Sequence, residues 1–337
     1  MNKQRIAILL LIVFALSGSL MFFKNCEKES STSDTTTENT LTLVAAPNFD
    51  ETSAYNFISE QIKFGPRVPN SQAHKKCGDW LIEKFKTFGT TVQVQEFKSY
   101  MYDGKALQSR NIIASYNPSA SKRILLAAHW DTRSIADKDS VNKKSPIDGA
   151  NDGGSGVAIL LEIANAIQQA KTKPNVGIDF ILFDAEDTGE PEDFKGQHQA
   201  TSWCLGSQYW AANKHIPNYS AYYGILLDMV GAKNAIFPRE GSSMQYAPEI
   251  VKNIWKIGQK LGYNAYFIDT DAGGLTDDHV AVNEIGKIQM IDIIELHPER
   301  NDIFGSYHHK HSDNINSIDK KTLKAVGQTV LQTLYQE

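Results

Sequence analysis

Residues 124–129, with the sequence ILLAAH, are the stretch that most clearly indicates the fold, because five consecutive apolar residues lead directly into a histidine. A short, continuous apolar run is typical of a β-strand that is buried on both faces of a sheet. Residues 176–183 and 222–227 have the same character, and residues 156–170, between the first and second of these three runs, have helical apolar spacing. Strands that alternate with helices predict an α/β fold, with a mostly parallel, doubly wound central sheet and helices on both faces.

The rest of the chain continues this alternation. Its apolar spacing predicts further strands at residues 91–97, 111–115, 265–268 and 288–294. Helical spacing occurs at residues 57–62 and 80–88, and further helices are predicted at residues 202–212, 249–261 and 318–335. No linker rich in proline and glycine divides residues 47–337, so we expect them to form a single domain.

The composition narrows the classes of function. The chain has 337 residues and a formal net charge of -5, from 34 basic and 39 acidic residues. Without a basic excess to neutralise phosphates, a dedicated nucleic-acid binder is excluded and no nucleic-acid partner is expected. Three cysteines, Cys26, Cys77 and Cys204, are too few for a disulfide scaffold, although Cys77 and Cys204 could pair outside the cytoplasm.

The first 46 residues differ from the remainder. Lys3 and Arg5 precede an uncharged run at residues 6–23, which predicts that residues 1–26 are an export signal or an N-terminal membrane anchor. Residues 27–46 are rich in serine and threonine and are expected to be a flexible spacer. We therefore expect an exported protein, periplasmic or otherwise extracytoplasmic, that meets a membrane only through its N-terminal segment.

Acidic residues and histidines concentrate where the predicted strands end. Ligands of open α/β sheets bind at the carboxyl ends of the strands. The acidic residues and histidines expected at that edge are His129, Asp131, Asp152, Asp184, Glu186, Asp187, Asp228, Asp269, Asp271, Asp277, Asp278, His279, His308, His309 and His311. Several carboxylates in one crevice would repel one another unless a cation lay between them, and mixed oxygen and imidazole ligands suit Zn²⁺.

Each of these residues also has a simpler interpretation. Asp152 could only cap the helix that begins near Gly153, and Asp228 could be a structural acid with hydrogen-bonded oxygens. Glu186 and Asp187 could be solvated loop charges, and each histidine taken singly could lie on the surface. One shared site accounts for all of them together, and the sequence contains neither a nucleophile elbow nor a dinucleotide-binding glycine motif.

The order of these motifs resembles that of the zinc aminopeptidase superfamily. The matching residues are His129-x-Asp131, residues 149–156 (GANDGGSG), Glu186-Asp187, Asp228 and His309. Within the superfamily, the chain more closely resembles the glutaminyl-peptide cyclotransferases, or glutaminyl cyclases. That closer resemblance lies in residues 64–67 (FGPR), 111–113, 226–232 (LLDMVGA) with Phe237-Pro238, and 277–279 (DDH).

This resemblance implies one zinc ion per chain, held by Asp152, Asp187 and His309. The sequence departs from the family at Asp187, where the usual ligand is glutamate, and His308 is the alternative to His309. Because His308 stands where the family has a tryptophan, Trp203 or Tyr307 would have to cover the substrate instead.

The resemblance also implies an activity, the cyclisation of an N-terminal glutamine to pyroglutamate with loss of ammonia from a peptide or protein. Glu186 would transfer the proton, and Asp228 would hold the α-amine. Asp277 and Asp292 would support them in a hydrogen-bond network, and Trp203, Asp228 and Asp292 are the expected substrate-binding residues. Two alternatives stay open: a zinc aminopeptidase with two metal ions, to which His129 would contribute, and a non-enzymatic ectodomain that retains only the fold.

Overall fold

In the computed structural model, residues 41–337 are described, so the predicted signal or anchor and most of the predicted spacer lie outside the described residues. The helices are α1 (Glu51–Lys63), α2 (Gln72–Thr87), α3 (Gly154–Gln169), α4 (Leu205–Ala212), α5 (Gly241–Tyr246), α6 (Pro248–Lys260), α7 (Asp278–Glu284) and α8 (Lys320–Gln336). The strands are β1 (Thr91–Tyr100), β2 (Ala106–Tyr116), β3 (Arg123–His129), β4 (Gly177–Phe183), β5 (Tyr223–Asp228), β6 (Phe237–Arg239), β7 (Phe267–Asp271) and β8 (Met290–Ile294).

The central sheet has six strands in the order β1-β2-β4-β3-β5-β8. Strands β4, β3, β5 and β8 are parallel neighbours, whereas β1 and β2 form an antiparallel hairpin that joins the edge of β4. The carboxyl ends of the four parallel strands therefore lie at one edge of the sheet, as expected for a ligand site.

Alternate residues of β3 show that both faces of the sheet are buried. Leu126 packs into a core with helices α1, α2, α3, α6 and α8, whereas Leu125 and Ala127 pack against residues of α4 and α7. A strand covered on both faces needs apolar residues at every position, which is the physical origin of the ILLAAH run. The predicted α/β fold, with a mostly parallel, doubly wound sheet, is confirmed.

Residues 41–337 form one compact unit. Residues 41–46 contain no regular secondary structure, yet Thr42 and Val44 are hydrogen-bonded to Gln332 and Gln336 of α8. Among the described residues, no helix combines the length and apolar character needed to cross a bilayer.

Three short elements were not predicted: β6, α5 and α7. They have three to seven residues, too few for a helical or strand period to emerge from the sequence. Helix α7 nevertheless positions one candidate residue, because Asp277 is its N-cap.

Candidate active site

The predicted site residues converge at the carboxyl edge of the sheet. His129 ends β3, Asp228 ends β5, and Glu186 lies in the loop that follows β4. Glu186 and Asp228, together with loop residues from elsewhere in the chain, line a cavity of about 520 Å³, whereas His129 does not line it. The candidate residues that line it are Asp152, Glu186, Trp203, Asp228, Asp277, His308 and His309.

Four residues around this cavity have left-handed backbone conformations although none is glycine. The φ angles are 57° at Ala185, 55° at Cys204, 50° at Met229 and 56° at His309. Such conformations cost free energy and persist where the surrounding structure enforces them, often at functional sites. Here they turn the chain sharply beside Glu186, Asp228 and the histidine pair.

The backbone of Asp152 is held in place by hydrogen bonds to Asp313, and its side chain does not cap a helix. The Asp313 carboxylate accepts hydrogen bonds from the backbone amides of Asn151 (2.8 Å) and Asp152 (3.1 Å). Helix α3 begins after Gly153 and has no side-chain cap, so the simple interpretation of Asp152 as an N-cap is wrong. The Asp152 side chain is thus free to contact the histidines beside it.

His309 lies between carboxylates on both sides of its ring. Its Nδ1 is 3.4 Å from Asp137, and its Nε2 is 3.3 Å from Asp187 and 3.9 Å from Asp152. A metal-binding histidine usually has this arrangement, in which one nitrogen faces the ligands and the other is oriented by a carboxylate. His308, by contrast, directs Nδ1 toward the Lys138 ammonium at 3.1 Å.

The donor atoms fit a zinc ion. Single donor atoms from Asp152, His308 and His309 all lie within 4.8 Å of one another. Asp187 contacts His309 through Oδ1, and its buried Oδ2 has no hydrogen-bond partner among the described residues. Asp187 is not part of the group of Asp152, His308 and His309, and it does not line the cavity. Carboxylate and imidazole ligands of this kind are nevertheless those of catalytic zinc sites.

Arg133 supports the same residues and was not singled out from the sequence. Its guanidinium forms two hydrogen bonds to Asp137, of 2.8 and 2.7 Å, and lies 3.2 Å from Asp187. It also stacks over Trp203, with its central carbon 4.7 Å from the ring centroid. Its position four residues after His129, past the end of β3, was the only signal available in the sequence.

His129 joins two candidate acids. Its Nε2 is 3.1 Å from Asp152 and 3.2 Å from Asp228, and its Nδ1 is 3.5 Å from Asp131. Burial opposes the charged imidazole, but the three carboxylates outweigh it and raise the pKa of His129 well above its ordinary value. His129, Asp152 and Asp228 also form a second group of donors within 4.8 Å.

Glu186 is partly buried in the cavity wall, and its carboxylate accepts a hydrogen bond of 3.3 Å from the Cys204 thiol. Burial raises the pKa of Glu186 well above its ordinary value, and the charges of Asp277 and Asp187 raise it further against the opposing effect of His129. Burial also raises the pKa of Asp228 to about 7, although His129 lowers it. Carboxyl groups perturbed in this way can both accept and donate a proton near neutral pH.

Asp292 needs a correction. The resemblance implied both contact with the substrate and a place in a network with Asp277. Asp292 is fully buried, is not part of the cavity lining, and interacts with Asp277, so the structure does not support the substrate contact. His279 lies beside both acids, because single donor atoms of Asp277, His279 and Asp292 are all within 4.8 Å of one another. The Nδ1 of His279 is 3.9 Å from Asp292, and its Nε2 is 3.2 Å from Glu240. Asp292 therefore belongs to the network that supports Asp277.

The aromatic residues near the site have different positions. Trp203 lines the cavity, with its ring nearly parallel to that of His309 and 6.1 Å from it. Tyr307 is buried, and its hydroxyl is bonded to Asn151 and Glu295. Trp203 is thus available to cover a bound molecule, whereas Tyr307 is not.

The suggested disulfide is wrong. Cys77 lies in α2, Cys204 precedes α4 beside Glu186, and both are buried free thiols. The spacing of two cysteines in a sequence carries no information about their distance in the fold.

Comparisons with known proteins agree with this geometry. The sequence profile described as Peptidase family M28 matches residues 111–334. A glutaminyl cyclase of Bacteroides thetaiotaomicron, solved bound to N-acetylhistamine, is 49% identical, with a TM-score of 0.84 over 87% of this chain and 100% of that one. A structure described as a Zn-dependent exopeptidase from Parabacteroides distasonis is 50% identical, with the same TM-score and coverage.

The curated relatives are more distant. The Drosophila melanogaster glutaminyl-peptide cyclotransferase is 25% identical over 146 residues, which cover 41% of this chain and 39% of that protein. The chain spans less than half the length of the first curated relatives that it matches.

Proposed function

This chain belongs to Peptidase family M28, and we propose that it converts the N-terminal glutamine of peptides and proteins to pyroglutamate, with release of ammonia. The observation that carries the proposal is the 49% identity to a solved glutaminyl cyclase across the whole of that structure. The cavity also contains the groups that this reaction needs. They are the partly buried Glu186, neighbouring carboxylates, and a group of side chains that could hold a metal ion.

The metal ligands that we propose are Asp152, Asp187 and His309, for one zinc ion per chain. The contacts of His309 with Asp137, Asp152 and Asp187 favour it over His308. The chemistry that bound zinc supplies is Lewis-acid polarisation of the glutamine side-chain carbonyl.

The chain's own residues would then position the substrate and move a proton. The nucleophile is the substrate's α-amine, which lies in the same residue as the carbonyl that it attacks, so positioning provides much of the rate. Asp228 would hold this amine from the end of β5. Trp203 would cover the glutamine side chain from its place beside His309.

Glu186 would act as base and then as acid. It takes one proton from the α-amine as the new bond forms between the α-nitrogen and the side-chain carbon. It returns that proton to the amide nitrogen as the bond to this nitrogen breaks and ammonia leaves. A raised pKa suits both steps, since the group must gain and lose a proton at similar pH, and Asp277, with Asp292 behind it, would keep it raised.

Parallel assays with a Gln-peptide and with standard aminopeptidase substrates test the activity. We expect ammonia and a cyclised peptide without free amino acid, whereas release of free glutamine would identify an aminopeptidase. Because His129, Asp152 and Asp228 form a second donor group, zinc content should be measured too. About one ion per chain agrees with the proposal, and two per chain would favour the dinuclear alternative.

The Glu186→Gln variant tests the proton transfer. It retains the shape of the side chain but cannot accept the proton, so we expect turnover to fall at least about a hundredfold. Zinc content should be unchanged because Glu186 is not a proposed ligand. Near-normal turnover in the zinc-loaded variant would contradict this role of Glu186.

We also propose that the protein acts outside the cytoplasm. The support is the pair of basic residues, Lys3 and Arg5, before an uncharged run at residues 6–23. Cell fractionation with an antibody against the folded domain tests this, and recovery from the cytoplasm alone would refute it.

A further inference from the structure

Next to the proposed zinc ligands is a group of donor atoms that the reaction does not use as ligands. One atom each from Cys204, Glu186 and Asp277 lie within 4.8 Å of one another. Tetrahedral ligands at about 2.0 to 2.3 Å from an ion lie about 3.5 Å apart, and the Cys204 Sγ is 3.3 Å from Glu186 Oε1. We propose that Cys204, Glu186 and Asp277 form a second site for a thiophilic divalent cation, and that its occupation inhibits the enzyme.

The Cys204 thiol is fixed in this position. The backbone amide of Cys204 donates to the Glu186 carbonyl at 2.9 Å, and that of Leu205 donates to the Ala185 carbonyl at 3.1 Å. These bonds tie the turn at Cys204 to the loop that carries Glu186. The sulfur and the carboxylate therefore stay close without either side chain having to be ordered by the ion.

Asp277 gives independent support for a ligand. Its Oδ2 is buried and has no hydrogen-bond partner among the described residues, and a buried carboxylate oxygen without a partner carries a cost that a cation would relieve. Asp278 and Asp292 add further acidic groups nearby. Glu186 and Asp277 line the cavity, which provides a route of entry for the ion.

Binding exchanges the thiol proton for the ion. Burial and the neighbouring carboxylates raise the pKa of Cys204 well above its ordinary value, so the free thiol keeps its proton and donates it to Glu186. When the ion binds, that proton leaves to solvent and the sulfur becomes a soft ligand suited to zinc-like ions. Glu186 then coordinates the ion and cannot accept a proton from the α-amine, so the inhibition, but not the binding, rests on the proposed function.

Cys77 provides a matched control. It is also buried and free, and burial raises its pKa to about 11. Its charged neighbours, however, are Arg67 and Arg110 rather than carboxylates, so a cation is not attracted to it.

Cadmium is the probe, added to the full-length, zinc-loaded enzyme. A chain with both Cys26→Ser and Cys77→Ser retains Cys204 as its single cysteine. We expect this chain to show the ultraviolet charge-transfer band of a cadmium thiolate, to lose activity on addition of cadmium, and to keep its zinc. The Cys204→Ser variant should require at least about tenfold more cadmium for half-inhibition than the chain that retains Cys204. Its inhibition is measured against its own activity without cadmium.

Several results would overturn the proposal. One is inhibition of Cys204→Ser at the same cadmium concentration that inhibits the protein with Cys204. The others are absence of the charge-transfer band from the double variant, and release of zinc in proportion to the cadmium bound. If Cys204→Ser does not fold, the double variant alone still decides whether Cys204 binds the ion. The band is independent of activity, so it remains a test even if no pyroglutamate is formed.

Discussion

Asp137 offers the most direct test of how this site holds its metal. The Asp137 carboxylate is 3.4 Å from Nδ1 of His309 and accepts two hydrogen bonds from Arg133. It accepts a third, of 2.8 Å, from the backbone amide of Glu192. Arg133 and His309 overcome the effect of burial and hold the pKa of Asp137 well below its ordinary value. The Asp137→Asn variant keeps the shape of the side chain, removes its charge and replaces one of its two acceptor oxygens with an NH2 donor.

The expected size of the effect has two parts. Loss of a carboxylate that orients a ligand histidine reduces metal affinity by about tenfold to a hundredfold, or about 1.4 to 2.7 kcal/mol. Breaking one buried ion pair of Arg133 costs about 3 kcal/mol of folding free energy, the lower end of the usual range, because Asp187 remains a partner at 3.2 Å. An Arg133 drawn more strongly toward Asp187 would compete for that proposed ligand and weaken zinc binding further.

The assay is competition for zinc with a chelator of known affinity, well below the melting temperature of the variant. Asp193→Asn is the matched control, since it removes the same charge from an exposed loop residue. We expect weaker zinc binding and a lower melting temperature in Asp137→Asn, and neither change in the control. Zinc affinity within about twofold of the parent protein would refute the role of Asp137 in orienting His309.

Three further predictions follow from other contacts. His309→Gln should abolish stoichiometric zinc binding, whereas His308→Gln should retain it; metal analysis showing the reverse would make His308 the ligand. In Trp203→Ala, the fold-increase in KM should exceed the fold-change in kcat by a factor of about ten, with zinc retained. An effect on kcat alone would contradict a covering role for Trp203. The pKa of Glu240 is lowered to about 2, because contacts with His279 and Ser243 outweigh burial. This stabilisation is present above pH 4.5, the ordinary pKa of a glutamate, and is lost as the pH falls toward 2. The destabilisation caused by Glu240→Gln in zinc-free protein should therefore be largest near neutrality and shrink below pH 4.5, and a constant difference in melting temperature would refute it.

The strands of the central sheet could be predicted from local sequence because their cause is local. Residues 124–129 need apolar side chains on both faces, and that requirement is visible without knowing which helices cover them. The parallel order then implies that His129, Glu186 and Asp228 meet at one edge. The short elements β6, α5 and α7 escaped prediction because they contain too few residues to establish a period.

The contacts that give each residue its role come from distant parts of the chain. His309 meets Asp137, 172 positions earlier, and Cys204 meets Glu186 rather than Cys77. The family resemblance implied that Asp292 touches the substrate, but packing buries it beside Asp277, away from the cavity lining. Residue types and strand ends are properties of short segments, and they were enough to indicate the chemistry. Distances, unpaired atoms and shifted pKa values depend on which segments pack together, and they became known only once the chain was folded.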